Sequence, residues 1–431
     1  MLFSKPELLA PAGSLEKMKV ALEFGADAVY FGLPEFSLRA RINNFGMDEL
    51  REGVAYCHSK GKKAYVTMNI FAHNRHIREL PSFLALLKEI KPDGLIISDP
   101  GVFFVAKKML PEIPIHISTQ ANVTNAEAVK FWKEAGAKRI ILAREVSLEE
   151  IKEISADSPD VELEAFVHGA MCMSYSGRCI LSKWMTGRSA NLGDCVQPCR
   201  WKYQRAEHQE NEAISGGVMN IIDEKRQFEM RVEEDGHGTY LFNSFDLCMI
   251  EHLEKLANAG VCSFKIEGRA KSVYYLATVV KAYRQQIDVI YEQFEAGISI
   301  YNNKAITAEA KKRKLELTKV ANRGYWSGFF FGDQPPHNLK HDSAEAEWMF
   351  CGVALEKESG NKREITVHNY LLEGDKVQVL TPSCEYEATI VSIENSSGGQ
   401  LASAHGGTHV RYFVVFDRII SGAFLIRKKI Q

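Results

Sequence analysis

The sequence lacks the features that mark a membrane or a secreted protein. Its longest apolar runs, such as residues 419–426, stay far below the roughly 18 residues that a membrane-spanning helix needs. Residues 1–7 contain no charged segment followed by an apolar stretch, so they are not typical of a secretory signal. We therefore expect a cytoplasmic protein with no membrane contact.

The sequence also lacks a net charge of either sign. Its 53 Lys and Arg residues nearly balance 55 Asp and Glu residues, which leaves a net charge of −2. No overall basic excess indicates nucleic-acid binding, so any such surface has to be a local patch. One candidate is Lys311 to Lys314, which is either a solvated helix face or a surface that faces RNA.

A repeated pattern of amphipathic helix, glycine and short apolar strand dominates the first 270 residues. It is plainest where Gly25, Gly136 and Gly260 each separate a helical stretch from a β-rich run. Eight strands are predicted: 7–10, 28–32, 63–69, 94–98, 113–118, 139–143, 163–167 and 263–266. Apolar strands separated by helices, with no Gly-x-Gly-x-x-Gly after the first strand, favour a closed TIM-like (β/α)8 barrel of the α/β class.

The chain length of 431 residues predicts two or three domains at about 150 residues each. We assign residues 1–300 to the barrel, including a cysteine-bearing insertion at residues 169–240. Residues 207–238 of this insertion are rich in Glu, Gln, Gly and Asp, which predicts a loop. A helical or irregular linker at 301–344 precedes a small all-β, barrel-like C-terminal domain at 345–431, where short alternating strands are separated by turn residues.

Four of the nine cysteines lie close together in the insertion, in the pattern Cys172-x6-Cys179-x15-Cys195-x3-Cys199. In a cytosolic chain such clustering indicates a metal site more than a disulfide framework, although redox thiols and core cysteines are alternatives. Four thiolates can close a tetrahedral zinc site or hold an iron-sulfur cluster. The spacing alone does not name the metal.

Polar residues follow several of the predicted strands, at the end of a (β/α)8 barrel where active sites form. The set comprises Asn69, Asp99, Gln120, Arg144, Glu145, His168, Lys265, Glu267 and Arg269, with Arg39 and Arg41 after the second strand. We predict that Arg144, Lys265 and Arg269 bind a small dianion in a pocket at this mouth, with the cysteine cluster as its lid; the alternative is that Glu145 and Glu267 neutralise them in ion pairs. His168 is either a proton carrier or a hydrogen-bond donor behind the site, or it is a core histidine.

The stretches Glu164 to Cys172 and Ser176 to Ser182 resemble the signature of the collagenase-like peptidase family U32. The resemblance extends to residues 8–13, 118–120 and 265–269 and to the β domain, so it covers nearly the whole chain. Residues 193–201 look most like the branch that hydroxylates the wobble uridine of transfer RNA to 5-hydroxyuridine without oxygen. The resemblance implies a [4Fe-4S] cluster on the four cysteines, tRNA as partner and prephenate, a dicarboxylate, as hydroxyl donor.

Two other functions stay open at this point. A peptidase would need a free thiolate beside a histidine, as Cys172 and His168 could supply, but a cysteine that ligates a cluster cannot attack a peptide. No His-Glu-x-x-His zinc-peptidase motif occurs. The third function is a binding protein in which zinc only stabilises the insertion. The sequence also leaves open a homo-oligomer or a hetero-oligomer.

Overall fold

The structure is a computed structural model, and it describes residues 4–430 except for several short segments. The segments left out are 33–34, 38–44, 173, 180, 202, 206–217, 224–228, 234–243, 333–346, 356–358 and 408–410. Within the described residues, no helix has both the length and the apolar character needed to cross a bilayer.

Seven parallel strands, each followed by a helix or turn, form most of a barrel. The strands are β1 (Glu7–Pro11), β2 (Ala28–Phe31), β3 (Lys63–Met68), β4 (Gly94–Ile97), β5 (Ile115–Ile117), β6 (Arg139–Ile141) and β7 (Glu162–Ala170). The helices between them are α1 (Leu15–Glu23), α2 (Met47–Ser59), α3 (Asn74–Ile90), α4 (Pro100–Met109), α5 (Ala126–Ala135) and α6 (Leu148–Asp157). Each strand pairs with the next one along the chain. Gly25 and Gly136 adopt positive φ angles of 111° and 102° where α1 and α5 end, as the glycine pattern predicts.

An insertion separates β7 from the last barrel strand. It contains α7 (Leu181–Thr186), β8 (Tyr203–Arg205), β9 (Val218–Asp223), β10 (Glu229–Glu233), β11 (Asp246–Cys248) and α8 (Leu253–Asn258). Strands β8, β9 and β10 form a small antiparallel sheet. The prediction of a loop over residues 207–238 is therefore wrong for β9 and β10. The valine and isoleucines of β9 favour a strand, although the surrounding composition is polar.

Strand β12 (Val261–Ile266) closes the barrel because it pairs in parallel with both β1 and β7. The predicted (β/α)8 barrel is confirmed. At its far end β7 pairs in antiparallel fashion with β11, where Ala170 lies opposite Asp246. The long helix α9 (Val273–Glu295) then packs against β1 and α1, and α10 (Lys304–Leu317) packs along α9. Strand β13 (Tyr325–Trp326) adds to β11.

The C-terminal part is all β, as predicted. Its strands are β14 (Trp348–Ala354), β15 (Ser359–Val367), β16 (Tyr370–Leu372), β17 (Lys376–Leu380), β18 (Glu385–Glu394), β19 (Gln400–Leu401), β20 (Ser403–His405), β21 (Arg411–Ser421) and β22 (Phe424–Lys429). The pairing of β17 with both β22 and β18 closes the main sheet on itself. This domain packs on the barrel through α9, since the fully buried Arg427 donates a hydrogen bond to the Tyr274 hydroxyl at 2.9 Å.

Candidate active site

A cavity of about 140 Å³ lies at the C-terminal ends of the barrel strands. Its floor and walls come from the strands and the residues that directly follow them, and its cover comes from residues 172–199, which we call the cysteine segment. Of the residues predicted for this mouth, six line the cavity: Asn69, Gln120, Arg144, Lys265, Glu267 and Arg269. All four clustered cysteines line it too. The cysteines and six of the predicted mouth residues therefore line one cavity.

Lys265 lies on the cavity floor and is paired with an acidic residue that the sequence reasoning missed. Its Nζ atom is 2.7 Å from Oε1 of Glu164, which is fully buried on the adjacent strand β7. Burial lowers the pKa of Lys265, and the carboxylate of Glu164 opposes that shift. Burial alone would raise the pKa of Glu164, but Lys265 and Arg139 together hold it below its usual value.

A network of charges below the floor holds this pair. Arg139 binds Glu164 at 3.1 Å and Glu7 at 2.6 Å, and the Ser263 hydroxyl lies 3.1 Å from an oxygen of each carboxylate. Buried charges need such partners, because an isolated ion in a protein interior is very costly. The charge of Lys265 is thus neutralised by Glu164, not by Glu145 or Glu267. Charged residues at inward positions of apolar strands, as at Glu164 and Arg139, were the available sequence signal.

Arg144 lies in the cavity wall. Its guanidinium carbon is 4.2 Å from the centre of the Phe166 ring, and its Nη1 atom donates a hydrogen bond to the carbonyl oxygen of Ala170 at 2.8 Å. Its Nε atom is buried without a hydrogen-bond partner. A buried N–H group without a partner costs free energy unless a ligand or water satisfies it. Arg144 can therefore donate to an anion in the cavity.

Arg269 and Glu267 follow β12 and complete the wall. Nη1 of the buried Arg269 donates hydrogen bonds to the hydroxyls of Ser37 at 2.7 Å and Thr67 at 3.0 Å. The backbone of Glu267 is fixed on both sides, since its N–H group donates to the carbonyl of His168 at 2.8 Å and its carbonyl accepts from the Tyr275 hydroxyl at 3.1 Å. Arg269 thus helps to hold the mouth together as well as lining it.

Glu145 is not part of the cavity lining but holds the cysteine segment. Its two carboxylate oxygens accept hydrogen bonds from the backbone N–H and the hydroxyl of Ser176, at 2.6 and 2.5 Å. Ser176 is buried and has left-handed backbone angles, φ 42° and ψ 35°, which few residues other than glycine adopt without cost. The carboxylate of Glu145 therefore stabilises a strained turn between Cys172 and Cys179.

His168 is buried outside the cavity. Its ring packs against those of Tyr275, Tyr283 and Tyr325, and the Tyr283 hydroxyl lies 3.3 Å from its Nδ1 atom. Burial lowers the pKa of His168 to about 3, so the imidazole is neutral at physiological pH. No histidine lines the cavity among the residues that the structure describes. This placement fits the core-histidine alternative.

The four cysteines form no disulfide and lie around the cover of the cavity. The Cys179 N–H group donates to the side-chain oxygen of Asn191 at 3.2 Å, and the Gln197 N–H group points at the sulfur of Cys195 at 3.3 Å. In the described part of the chain, no three His, Cys, Asp or Glu side chains are grouped closely enough to hold a single metal ion. The four thiols therefore surround one cavity without forming a compact single-ion cage.

The remaining predicted residues have other positions. Asp99 caps α4, where its side chain accepts a hydrogen bond from the Val102 N–H at 3.0 Å. Arg39 and Arg41 lie outside the described residues. Of the Lys311 to Lys314 patch on α10, Arg313 pairs with Glu309 and Lys314 pairs with Glu251, whereas Lys311 and Lys312 are exposed.

Comparisons with known proteins agree with the resemblance in the sequence. The family model described as peptidase family U32 matches residues 13–340. A protein of Escherichia coli named tRNA hydroxylation protein P is 38% identical, and the alignment covers 98% of this chain and 97% of that protein. A Haemophilus influenzae protein of the same name is 36% identical, with 99% and 97% covered. A Porphyromonas gingivalis protein named collagenase is 32% identical over 76% of this chain and 74% of its own length.

Proposed function

The chain belongs to peptidase family U32, and from this membership we propose that it is an enzyme that hydroxylates transfer RNA. The observation that carries the proposal is the position of all four clustered cysteines around a cavity whose wall and floor contain Arg144 and Lys265. Similarity over almost the full length to proteins named for tRNA hydroxylation supports this substrate over other RNAs. We further propose that the product is 5-hydroxyuridine at the wobble position, formed without oxygen.

A [4Fe-4S] cluster on Cys172, Cys179, Cys195 and Cys199 is the cofactor that we propose. The donor set fits, because four thiolates on one cavity are the usual ligands of such a cluster. Zinc would need all four sulfurs at about 2.3 Å from one ion, whereas a cluster distributes its thiolates over several metal ions. The choice of the cluster over zinc rests on the resemblance to the tRNA-hydroxylating branch of the family, and metal analysis tests it. When bound, the cluster would supply one-electron redox chemistry at the cavity.

The protein's own residues would bind and orient the hydroxyl donor, for which we propose a dicarboxylate such as prephenate. Arg144 provides a buried N–H group without a partner, and a guanidinium can hold a carboxylate through two parallel hydrogen bonds. Lys265 adds a fixed ammonium group on the floor, kept in position by Glu164. The cysteine segment covers the cavity and limits the access of water to the bound acid.

A peptidase is the second candidate, supported by the similarity to the protein named collagenase. The geometry argues against it. His168 is the histidine nearest in sequence to Cys172. It is buried among tyrosine rings, and its Nδ1 atom lies 3.3 Å from the Tyr283 hydroxyl, so it does not activate a cavity thiol. A zinc-stabilised binding protein is the third candidate, and it assigns no role to the Arg144 and Lys265 side chains that line the cavity.

The decisive experiment compares the nucleosides of transfer RNA from a strain that lacks the gene with those from the same strain carrying the intact gene. We expect 5-hydroxyuridine and its derivatives to disappear in the first strain and to return in the second. A plasmid that encodes Cys179→Ala serves as the control for the cofactor and should not restore them. Unchanged nucleosides in the deletion strain would contradict the proposed function.

A further inference from the structure

The surface beside the cavity carries arginines with no acidic partner. Arginines elsewhere commonly pair with carboxylates, as Arg51 does with Glu89 at 2.9 Å. Within the described part of the chain, Arg75, Arg78 and Arg178 have no carboxylate at ion-pair distance, and all three are exposed. Three exposed arginines without an ion-pair partner thus lie on segments that border the barrel mouth.

These arginines lie on two segments that meet beside the cavity, since Arg178 contacts the loop that leads into α3. Arg75 and Arg78 are three residues apart on α3, so they are neighbours on one helix face. The loop before α3 contains Phe71, and the guanidinium of Arg178 lies 5.4 Å from its ring centre. Arg178 also donates a hydrogen bond to the carbonyl oxygen of Gln120 at 2.8 Å. We call Arg75, Arg78 and Arg178, with the exposed Tyr175 of the same turn, the arginine rim.

The charges at the start of α3 oppose the stability of that helix. The positive end of a helix dipole favours acidic residues, and α1, α2, α5 and α6 each have an acidic residue in their first turn. Helix α3 has none there; Arg75 is in its first turn and Arg78 follows. Arg75 reduces the stability of the free protein at this positive helix end, and Glu79, four residues later on the same face, offsets part of that cost. Local choices that reduce stability are expected at functional surfaces.

We propose that the arginine rim binds the phosphate backbone of the RNA loop whose base enters the cavity. This inference rests on the proposed function and names the surface that the substrate uses. Guanidinium groups suit phosphates, and an exposed aromatic ring beside them suits an unstacked base. Tyr175 is 52% exposed and lies three residues after Cys172, so a base stacked on it is next to the cavity. A base in a single-stranded loop reaches such a site without being extruded from a duplex.

The patch on α10 is the competing RNA surface, and it fits less well. Two of its four cations are paired with carboxylates, and none of them lines the cavity. An acidic protein is the competing partner for the rim. The carboxylates of such a protein could pair with the arginines, but they would not use the exposed ring of Tyr175.

The test measures binding of a synthetic anticodon stem-loop with an unmodified wobble uridine to the full-length protein, purified without oxygen, at several salt concentrations. The variant is Arg75→Ala/Arg78→Ala. We expect its affinity to fall by about tenfold or more, and the slope of log affinity against log salt to decrease by about 1.4, because each contact to a single-stranded phosphate contributes about 0.7. We also expect the variant to melt at the same or a higher temperature, since repulsion is removed. A purely structural role would lower the melting temperature instead.

Two double variants serve as controls. Arg51→Ala/Arg411→Ala removes the same charge from arginines that are paired with Glu89 and Glu364, and Lys311→Ala/Lys312→Ala removes it from α10. Both should bind the stem-loop like the unchanged protein. Loss of affinity in the α10 variant but not in the rim variant overturns the proposal. Equal competition by poly-glutamate of matched charge also overturns it, in favour of an acidic protein partner.

A separate readout distinguishes failure of this surface from failure of the proposed function. The unchanged gene and the rim variant are each returned to the deletion strain, and 5-hydroxyuridine in tRNA is measured. If the unchanged gene restores it and the rim variant restores it equally at low expression, the rim assignment fails while the function stands. If the unchanged gene does not restore it although the protein binds RNA through the rim, the function fails and the surface stands.

Discussion

Glu145 accepts two hydrogen bonds from Ser176, one from the backbone N–H and one from the hydroxyl. A residue in the loop after β6 thereby fixes a turn of the cysteine segment. Two further contacts join this segment to the mouth: Arg178 donates to the Gln120 carbonyl, and the Phe71 N–H group donates to the Asn191 carbonyl at 3.1 Å. The position of the thiols thus depends on polar contacts with the barrel.

We expect Glu145→Gln to loosen the cysteine segment. A glutamine has one acceptor oxygen, so either the N–H group or the hydroxyl of the buried Ser176 loses its partner, at about 1–3 kcal/mol. Iron should then leave the anaerobically purified variant faster when a chelator is added. Glu149→Gln is the matched control, because Glu149 is exposed on the neighbouring helix α6. Equal stability and equal iron release in the two variants would exclude this role for Glu145.

Lys265→Met should destabilise the barrel by about 3–5 kcal/mol, because it leaves the buried carboxylate of Glu164 short of one cation. Denaturant unfolding measures the change. Lys265→Met/Glu164→Gln should be less destabilised than the sum of the single variants. As a control, Lys63→Met removes an ion pair with Glu7 whose lysine is 58% exposed, and about 1 kcal/mol or less is expected. Additive single variants would show that Lys265 and Glu164 do not interact.

The stability of the protein should decrease in acid through His168. Burial lowers the pKa of His168 from 6.5 to about 3 in the folded protein, so the unfolded chain binds the proton more readily between these values. The stabilisation is complete above pH 6.5 and is lost as the pH falls towards 3, at up to about 1.4 kcal/mol per pH unit. In His168→Phe the free energy of unfolding should depend less on pH in this range. His405 is an exposed histidine on a strand of the C-terminal domain, and His405→Phe should keep the pH dependence of the unchanged protein. If the free energy of unfolding depends on pH in the same way in all three proteins, His168 is not the group that causes the loss of stability in acid.

Protein purified without oxygen should contain iron and sulfide, and Cys179→Ala should lose both together with the visible absorption of the cluster. Cys384→Ala is the control, because Cys384 is exposed in the C-terminal domain far along the chain from the cysteine segment. Metal and sulfide analysis of the three proteins checks this expectation. Stoichiometric zinc without iron in the unchanged protein would favour the zinc-stabilised alternative.

Arg144→Met should raise the concentration of donor acid needed for half-maximal tRNA hydroxylation by about tenfold or more, because a charged hydrogen bond contributes about 1.5–3 kcal/mol. Methionine keeps packing against Phe166 but loses the hydrogen bond to the Ala170 carbonyl, so the iron content should stay close to that of the unchanged protein while the free energy of unfolding falls by about 1 kcal/mol. Arg51→Met is the control for loss of a surface charge. An unchanged donor requirement in Arg144→Met would remove this residue from the donor site.

The sequence was sufficient to predict the barrel because its signals are local. Glycines with positive φ end α1 and α5, and the apolar strands follow them directly, as at Ala28–Phe31 and Arg139–Ile141. The cysteines and the mouth residues could be placed as two groups for the same reason. The sequence also predicts the cysteines as the lid of the mouth. The mouth itself forms through the closure of β12 on β1 and β7, which no local pattern encodes.

The residues that were missed depend on orientation across the barrel. Glu164 stands in an apolar strand, and its partners Arg139 and Lys265 lie 25 and 101 positions away in the chain. Ser176 carries no sequence sign of its left-handed backbone, since that conformation exists because Glu145 holds it. His168 followed the rule for mouth residues in sequence, yet its side chain points into a tyrosine cluster.

The antiparallel pairing of Ala170 with Asp246 places the entry and the exit of the inserted segment on one rung of the sheet. A segment whose two ends already meet imposes no tension on the strands that carry it. We therefore expect a change of length between Ala170 and Asp246 to leave the register of β7 and β12 unaltered, provided that the contacts of residues 172–199 with the barrel are kept. The inserted segment can therefore change while the barrel stays the same, so the chemistry at the mouth can diverge on one scaffold.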